Sequence, residues 1–284
     1  MDFKSLARTI SIVENDGNGA ASILENLKPL QMPVIGITGP PGAGKSTLLN
    51  ALTGYLLDQG KKVGLILVDP SSPFNFGALL GDRLRLGHYF THPNVFIRSV
   101  ATRGSLGGLT DTILEVTEVM RSFPFDVLFI ETVGVGQSEV EIAALADTTI
   151  VTLVPEAGDS IQAMKAGLME IADLFVINKA DRPGAEKLAN ALQLQLQLHH
   201  KNEVAVLQTV ALEAKGIAEL WEHILSNNIE QHRERKLQLL TEKCLQSVRK
   251  KRMRSFDVSS MRNQLKLQMQ QPHFSLFQFL KNYD

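Results

Sequence analysis

Gly39-Pro40-Pro41-Gly42-Ala43-Gly44-Lys45-Ser46 decides the fold of this chain. The octet satisfies G-x-x-x-x-G-K-[ST], and its flanks matter as much as the pattern. Before it, Pro33-Val34-Ile35-Gly36-Ile37-Thr38 reads as a buried strand. After it, Ser46-Thr47-Leu48-Leu49-Asn50-Ala51-Leu52 opens a helix. Strand, glycine loop and helix start together make a phosphate cradle. The glycines let backbone N–H groups turn inward, and the helix N-terminus adds the positive end of its dipole. Gly39, Pro40, Pro41, Gly42, Ala43, Gly44, Lys45, Ser46 and Thr47 are therefore the expected phosphate-binding residues. Lys45 reaches the β- and γ-phosphates, and the Ser46 hydroxyl ligates Mg²⁺.

The 284 residues suffice for one large α/β domain with extensions, or for two small domains. A net charge of −1 provides no global field toward nucleic acid or a membrane surface, and neither is expected as a partner. Cys244 is the only cysteine, which excludes an internal disulfide and a cysteine metal cluster within one chain. The opening Met1-Asp2-Phe3-Lys4-Ser5-Leu6-Ala7-Arg8 has no apolar signal core, and no apolar run approaches a membrane span. A cytoplasmic protein is the expectation.

Outward from the cradle, apolar runs rich in β-branched residues alternate with helical stretches: 63–68, 95–100, 127–130, 149–154, 174–177 and 204–210. Near-continuous apolar strands separated by helices imply a mostly parallel sheet covered on both faces, an α/β fold. Ligands of such sheets bind beyond the carboxyl ends of the strands, which sorts the acidic residues. Asp69 ends one strand before the turn Asp69-Pro70-Ser71-Ser72-Pro73. Asp126 and Glu131 lie at opposite ends of another, about 16 Å apart at 3.3 Å per residue. Only Glu131 is on the phosphate side, so it joins the Mg²⁺ shell directly or through water, and Asp126 is a strand-start residue. Gly134 lets its backbone approach the γ-phosphate. Two glycine-rich loops, around Gly81-Asp82-Arg83 and over 103–109, fall on the same edge.

Asn178-Lys179-Ala180-Asp181 ends a further strand. The Asp181 carboxylate can accept from guanine N1–H and the exocyclic amine, two donors that adenine lacks at those places. The Asn178 amide can hold the other edge of the base, and the Lys179 stem can cover its face. Ahead of the cradle, Leu6, Ile10 and Val13 recur at helical spacing, giving an N-terminal amphipathic helix and a second short helix over about 20–27. The expected division is an N-terminal helical extension (1–32), a P-loop nucleotide domain (33–225) and a C-terminal helical extension (226–284).

Taken in order, Lys45-Ser46-Thr47, Asp69-Pro70-Ser71-Ser72-Pro73, Leu80-Gly81-Asp82-Arg83, Arg103-Gly104-Ser105-Leu106-Gly107-Gly108, the run from Glu131 to Glu139, that from Gly158 to Asp173, and Asn178–Asp181 resemble the methylmalonyl-CoA mutase-associated G-protein chaperones, the MeaB/ArgK family. The resemblance runs from about residue 5 to residue 225. It implies a SIMIBI-class, dimeric GTPase that escorts an adenosylcobalamin-dependent acyl-CoA mutase, gating cofactor delivery and protecting it from inactivation. Matched by position, Lys45, Asp69, Asp82 and Glu131 serve catalysis, and Ser46, Asp69, Asp82 and Glu131 the metal. Gln162 and Lys165 match a third switch that reports nucleotide state to the mutase. Asn178, Lys179, Asp181, Ala211 and Leu212 match the guanine site.

Some residues depart from that pattern. Asn75-Phe76 stand where the family usually has Thr-Gly. Pro155-Glu156-Ala157-Gly158 replaces a more glycine-rich form, and Val210 stands where a small hydroxyl residue is usual. Val135, not glutamine, follows Gly134, so slow intrinsic hydrolysis accelerated by a partner is expected. The alternative is a GTP-dependent metallochaperone or an accessory GTPase for another client. A transport-linked ATPase conflicts with Asn178–Asp181, and a structural dimer would bind nucleotide without turnover. His199-His200 reads as a solvated helix end, and the basic run 249–254 as a solvated face or a partner contact. Leu276, Phe277, Phe279 and Leu280 read either as core or as the seam of a dimerising arm.

Overall fold

In the computed structural model, the described residues are 2–69, 86–101, 112–132, 138–156, 166–226, 233–253, 256–270 and 274–283. Among them, seven strands form one sheet: β1 (Val34–Thr38), β2 (Val63–Asp69), β3 (Val95–Ala101), β4 (Val127–Glu131), β5 (Thr148–Leu153), β6 (Leu174–Asn178) and β7 (Ala205–Thr209). Their order is β3-β2-β4-β1-β5-β6-β7, and every pairing is parallel. The expected parallel α/β sheet is present, with all seven apolar runs as strands. β1, β4, β5 and β6 are buried along their whole length, as strands covered on both faces must be.

The helices are α1 (Phe3–Glu14), α2 (Ala20–Glu25), α3 (Lys45–Asp58), α4 (Ile113–Arg121), α5 (Ser138–Leu145), α6 (Ala166–Ile171), α7 (Ala185–Leu198), α8 (Ile217–Ser226), α9 (Arg233–Met253), α10 (Val258–Gln268) and α11 (Leu276–Leu280). One core lies between the sheet and α3 with α8, where Leu48, Leu52 and Leu56 meet Ile35, Ile37, Phe129 and Trp221. On the opposite face, Leu6, Ile10 and Val13 of α1 join Val34, Ile66, Leu128 and Ile130, along with residues of α4 and α5. A third cluster packs α6 and α7 on β5 and β6. The ring of Phe3 lies 5.3–6.1 Å from those of Phe96, Phe123 and Phe125. Glu14 pairs with Arg98 of β3. The N-terminal helix is thus part of the cover of the sheet.

The two edges of the sheet carry opposite functions. At the amino edge, aspartates hold strand starts: Asp126 accepts from the Lys62 amide at 2.7 Å, Asp147 from Val34 at 2.9 Å and Asp173 from Thr149 at 2.7 Å. Asp126 is therefore a structural carboxylate. β1, between β4 and β5, stands where the strand order reverses, the place beyond whose carboxyl ends such sheets generally take their ligands.

The chain divides into two compact units, 1–240 and 241–284. Within the second, Phe279 is buried and its ring packs on Phe274 and Tyr283. The Tyr283 hydroxyl donates to Gln264 Oε1 at 2.8 Å. Leu276 and Phe277 are exposed, so the apolar cluster near the end supplies both a small core and a bare surface. No helix among the described residues is long and apolar enough to cross a membrane.

Candidate active site

The loop after β1 has its shape because two of its glycines admit nothing larger. Gly39 (φ 136°) sits so close to β5 that a Cβ would lie 2.2 Å from the Thr152 carbonyl oxygen. Gly44 (φ 84°) caps α3 in the left-handed region, and a Cβ there would meet the Asn178 amide nitrogen at 2.4 Å. The buried Lys45 ammonium donates to the carbonyls of Gly39 at 2.8 Å and Pro40 at 3.1 Å, so the loop wraps its own cation. One residue on, the Ser46 hydroxyl donates to Glu131 Oε1 at 2.7 Å. Ser46 and Glu131 are both buried, on the first turn of α3 and the last residue of β4. Thr47 is half-buried beside them.

Asp69 ends β2 on the same edge, and β2 pairs with β4 in the register Leu67↔Glu131. The backbone thus brings Asp69 to the strand end beside Glu131. Asp82, Gly134, Gln162 and Lys165 lie outside the described residues.

The residues expected to meet the base lie on the turns after β6 and β7. The Asn178 side chain, expected to hold an edge of the base, bridges these turns to the cradle. Its amide donates to the carbonyls of Ala43 (3.3 Å) and Gly44 (3.4 Å), and its oxygen accepts from the Ala211 amide (3.1 Å) and the Thr209 hydroxyl (3.3 Å). Lys179 takes a left-handed conformation (φ 56°) and its ammonium reaches the Gly42 carbonyl at 2.8 Å, so its stem spans the gap between turn and cradle. Asp181 is exposed at the tip of that turn. Across from it, the loop 210–216 is pinned by the paired backbones of Val210 and Lys215, with Ala211 buried and Leu212 87% exposed.

Hydrogen bonding from Arg182 holds the Glu156 carboxyl below its usual range, helped by its own backbone and by the charges of Arg182 and Lys179. A hydrogen bond to Glu213 (2.6 Å) raises Lys215, and the charges of Glu213 and Asp181 act the same way.

Three features of the site escape a reading of motifs. Glu156, three residues past β5, pairs with Arg182 on the turn after β6. Lys215 lies within electrostatic reach of Asp181. Thr38 and Thr132, polar residues closing two apolar strands, join hydroxyls beneath the cradle at 2.8 Å. The signal for the last was a threonine ending each apolar run, since a buried hydroxyl needs a partner. Which partner it takes depends on strand order.

The profile of the family described as methylmalonyl Co-A mutase-associated GTPase MeaB matches residues 6–271. A protein of Pyrococcus horikoshii, described as a GTPase, is 48% identical over 231 residues, which is 78% of this chain and 73% of its own. The Escherichia coli GTPase ArgK is 38% identical over 234 residues, 78% of this chain and 71% of its own. The mouse protein described as methylmalonic aciduria type A homolog, mitochondrial, is 39% identical over 202 residues, 69% of this chain and 48% of its own. Among solved structures, that of a LAO/AO transport system kinase superposes with a TM-score of 0.64 at 26% identity, covering 99% of this chain and 97% of that one. With the family profile matched over 6–271 and relatives of 38–48% identity covered to more than two thirds, the chain belongs to the MeaB family of methylmalonyl Co-A mutase-associated P-loop GTPases.

Proposed function

We propose that this GTPase is a nucleotide-gated chaperone of an adenosylcobalamin-dependent acyl-CoA mutase, and that it works as a cytoplasmic homodimer. The observation that carries the reading is the match to the mutase-associated family over residues 6–271. The mouse relative named for methylmalonic aciduria supports the same client chemistry.

Within the site, GTP and GDP lie along the cradle with the base between Asp181 and Ala211-Leu212. The residues present fit a hard divalent cation: a buried hydroxyl and a buried carboxylate touch at 2.7 Å, and Asp69 ends the neighbouring strand. Ser46, Glu131 and Asp69, with Asp82, would hold Mg²⁺, which supplies countercharge to the β- and γ-phosphates when bound. The Lys45 ammonium already sits inside the loop and turns to the phosphate oxygens, stabilising charge as the γ-phosphoryl group leaves. Water attacks in line. Val135 offers no side chain to orient that water, so the isolated protein turns over slowly and the client accelerates it. Gln162 and Lys165 carry the nucleotide state to the client.

The test is recovery from cell extract with the protein loaded first with a non-hydrolysable GTP analogue and then with GDP. An acyl-CoA mutase captured in one state and released in the other supports the reading. Capture of a nickel metalloenzyme or another client in place of a mutase, or fast multiple turnover by the protein alone, overturns it.

A further inference from the structure

Thr38 is the last residue of β1 before the glycine loop, and Thr132 is the first residue after β4. The register Ile37↔Glu131 sets them side by side. The Thr132 N–H donates to the Ile37 carbonyl at 3.0 Å, and its hydroxyl donates to the Thr38 hydroxyl at 2.8 Å. Both side chains are fully enclosed, at 0% and 1% exposure. Successive side chains of a strand point to opposite faces. Ile37 packs in the core of α3, and Glu131 bonds to Ser46 on that helix, so the two threonines close the opposite face. Beyond Thr38 the chain enters the cradle. The carboxyl ends of β1 and β4 are therefore tied on both faces by one buried side-chain hydrogen bond each.

The length of the tie matters. Hydroxyl oxygens approach to 2.8 Å here, whereas two methyl groups in the same place stay roughly 3.5–4.0 Å apart. An apolar pair of equal shape would hold the strand ends apart by about 1 Å, a displacement that can cost on the order of a hundredfold when it separates reacting groups. Glu131 is the immediate neighbour of one threonine, and the loop that wraps Lys45 begins next to the other. We propose that Thr38 and Thr132 are positioning residues for GTP hydrolysis, setting the distance between the cradle and the Glu131 end of β4.

The experiment measures single-turnover GTP hydrolysis, GDP affinity and urea stability for the full chain and for Thr38→Val, Thr132→Val, Thr38→Val/Thr132→Val and Thr38→Ser. Each single valine variant orphans one buried hydroxyl and loses stability, whereas the double variant removes both partners and regains it. The expected result is a rate lowered about tenfold or more in all three valine variants, the double included, with GDP affinity within about threefold of wild type. Thr38→Ser keeps the rate. If the rate recovers together with stability in the double variant, or a single valine variant keeps the wild-type rate, the pair is only structural and the proposal fails. Should a single variant not fold, the double and serine variants decide the matter. The inference rests on hydrolysis by the intact chain, and the wild-type rate measured alongside separates a failure of that activity from a failure of the positioning role.

Discussion

Asp181 stands exposed just past β6, and in the proposed site its carboxylate meets both donors of the guanine edge. Replacing it with asparagine leaves one donor facing another. Asp181→Asn is expected to weaken GTP binding by about a hundredfold or more, the scale on which a site rejects a base that leaves its polar groups unpaired. Xanthine carries a carbonyl in place of the amine, so xanthosine triphosphate should recover much of the loss; competition binding measures both. Glu156 makes a second residue-scale prediction. Its carboxyl is held low by Arg182, so the contribution of the pair is present at neutral pH. That contribution is lost as pH falls below the ordinary glutamate value of about 4.3 and through the lower folded one. The melting temperatures of wild type and Glu156→Gln should therefore differ near pH 7 and converge in acid. Both groups are about half exposed, so the difference is small and shrinks in salt.

Among the elements, α1 has a direct consequence for stability. Leu6 and Ile10 are wholly buried against β2, β4 and α4. Leu6→Ala or Ile10→Ala should cost about 2–5 kcal/mol, read from urea unfolding, and the loss should appear in the unfolding of the sheet itself. The helix was legible from its apolar spacing, but what it covers was not. A periodic stripe says that a face is buried and leaves the burying surface open. The strands were legible for a similar reason, since an apolar run such as Val127–Ile130 can only sit between two layers of helix. Their order was not, because β1 lies between strands whose pairing residues come roughly a hundred positions later. Lys45 and Ser46, singled out by motif, and Glu131, singled out by its strand end, do come together, with Ser46 bonded to Glu131. The role of Asn178 as a strut to Ala43, Gly44 and Ala211 came only with the fold, because those partners are distant in sequence. Asp126 was sorted correctly by edge alone.

Taken whole, the near-neutral chain hides a division of charge. Residues 241–284 carry nine lysines and arginines against three acids, and residues 1–240 carry twenty against twenty-seven. With Leu245, Val248, Met253 and Phe277 also exposed, the basic unit offers both charge and apolar surface. If the proposed dimer joins opposite charges, self-association measured by sedimentation should weaken as salt rises from about 0.05 to 0.5 M, the range over which screening lengths become short. Arg249→Glu/Arg252→Glu should weaken it at low salt. An association that strengthens with salt would point to the apolar side chains instead.

The central place of β1 also sets the order of events during synthesis. Its partners are Leu128 of β4 and Thr148 of β5, on the order of a hundred residues downstream of Val34 and Ile35. At about 5–20 residues per second, the ribosome delivers them roughly 5–20 s after β1 has been made. Until then the glycine loop has neither Thr152 to press against nor Glu131 to receive Ser46, so it has no fixed shape. Parallel pairing over such separations is slow in the refolding of a complete chain as well. The phosphate cradle, early in the sequence, is late in time. Nucleotide binding should accordingly appear in a single late phase of refolding and mark completion of the sheet.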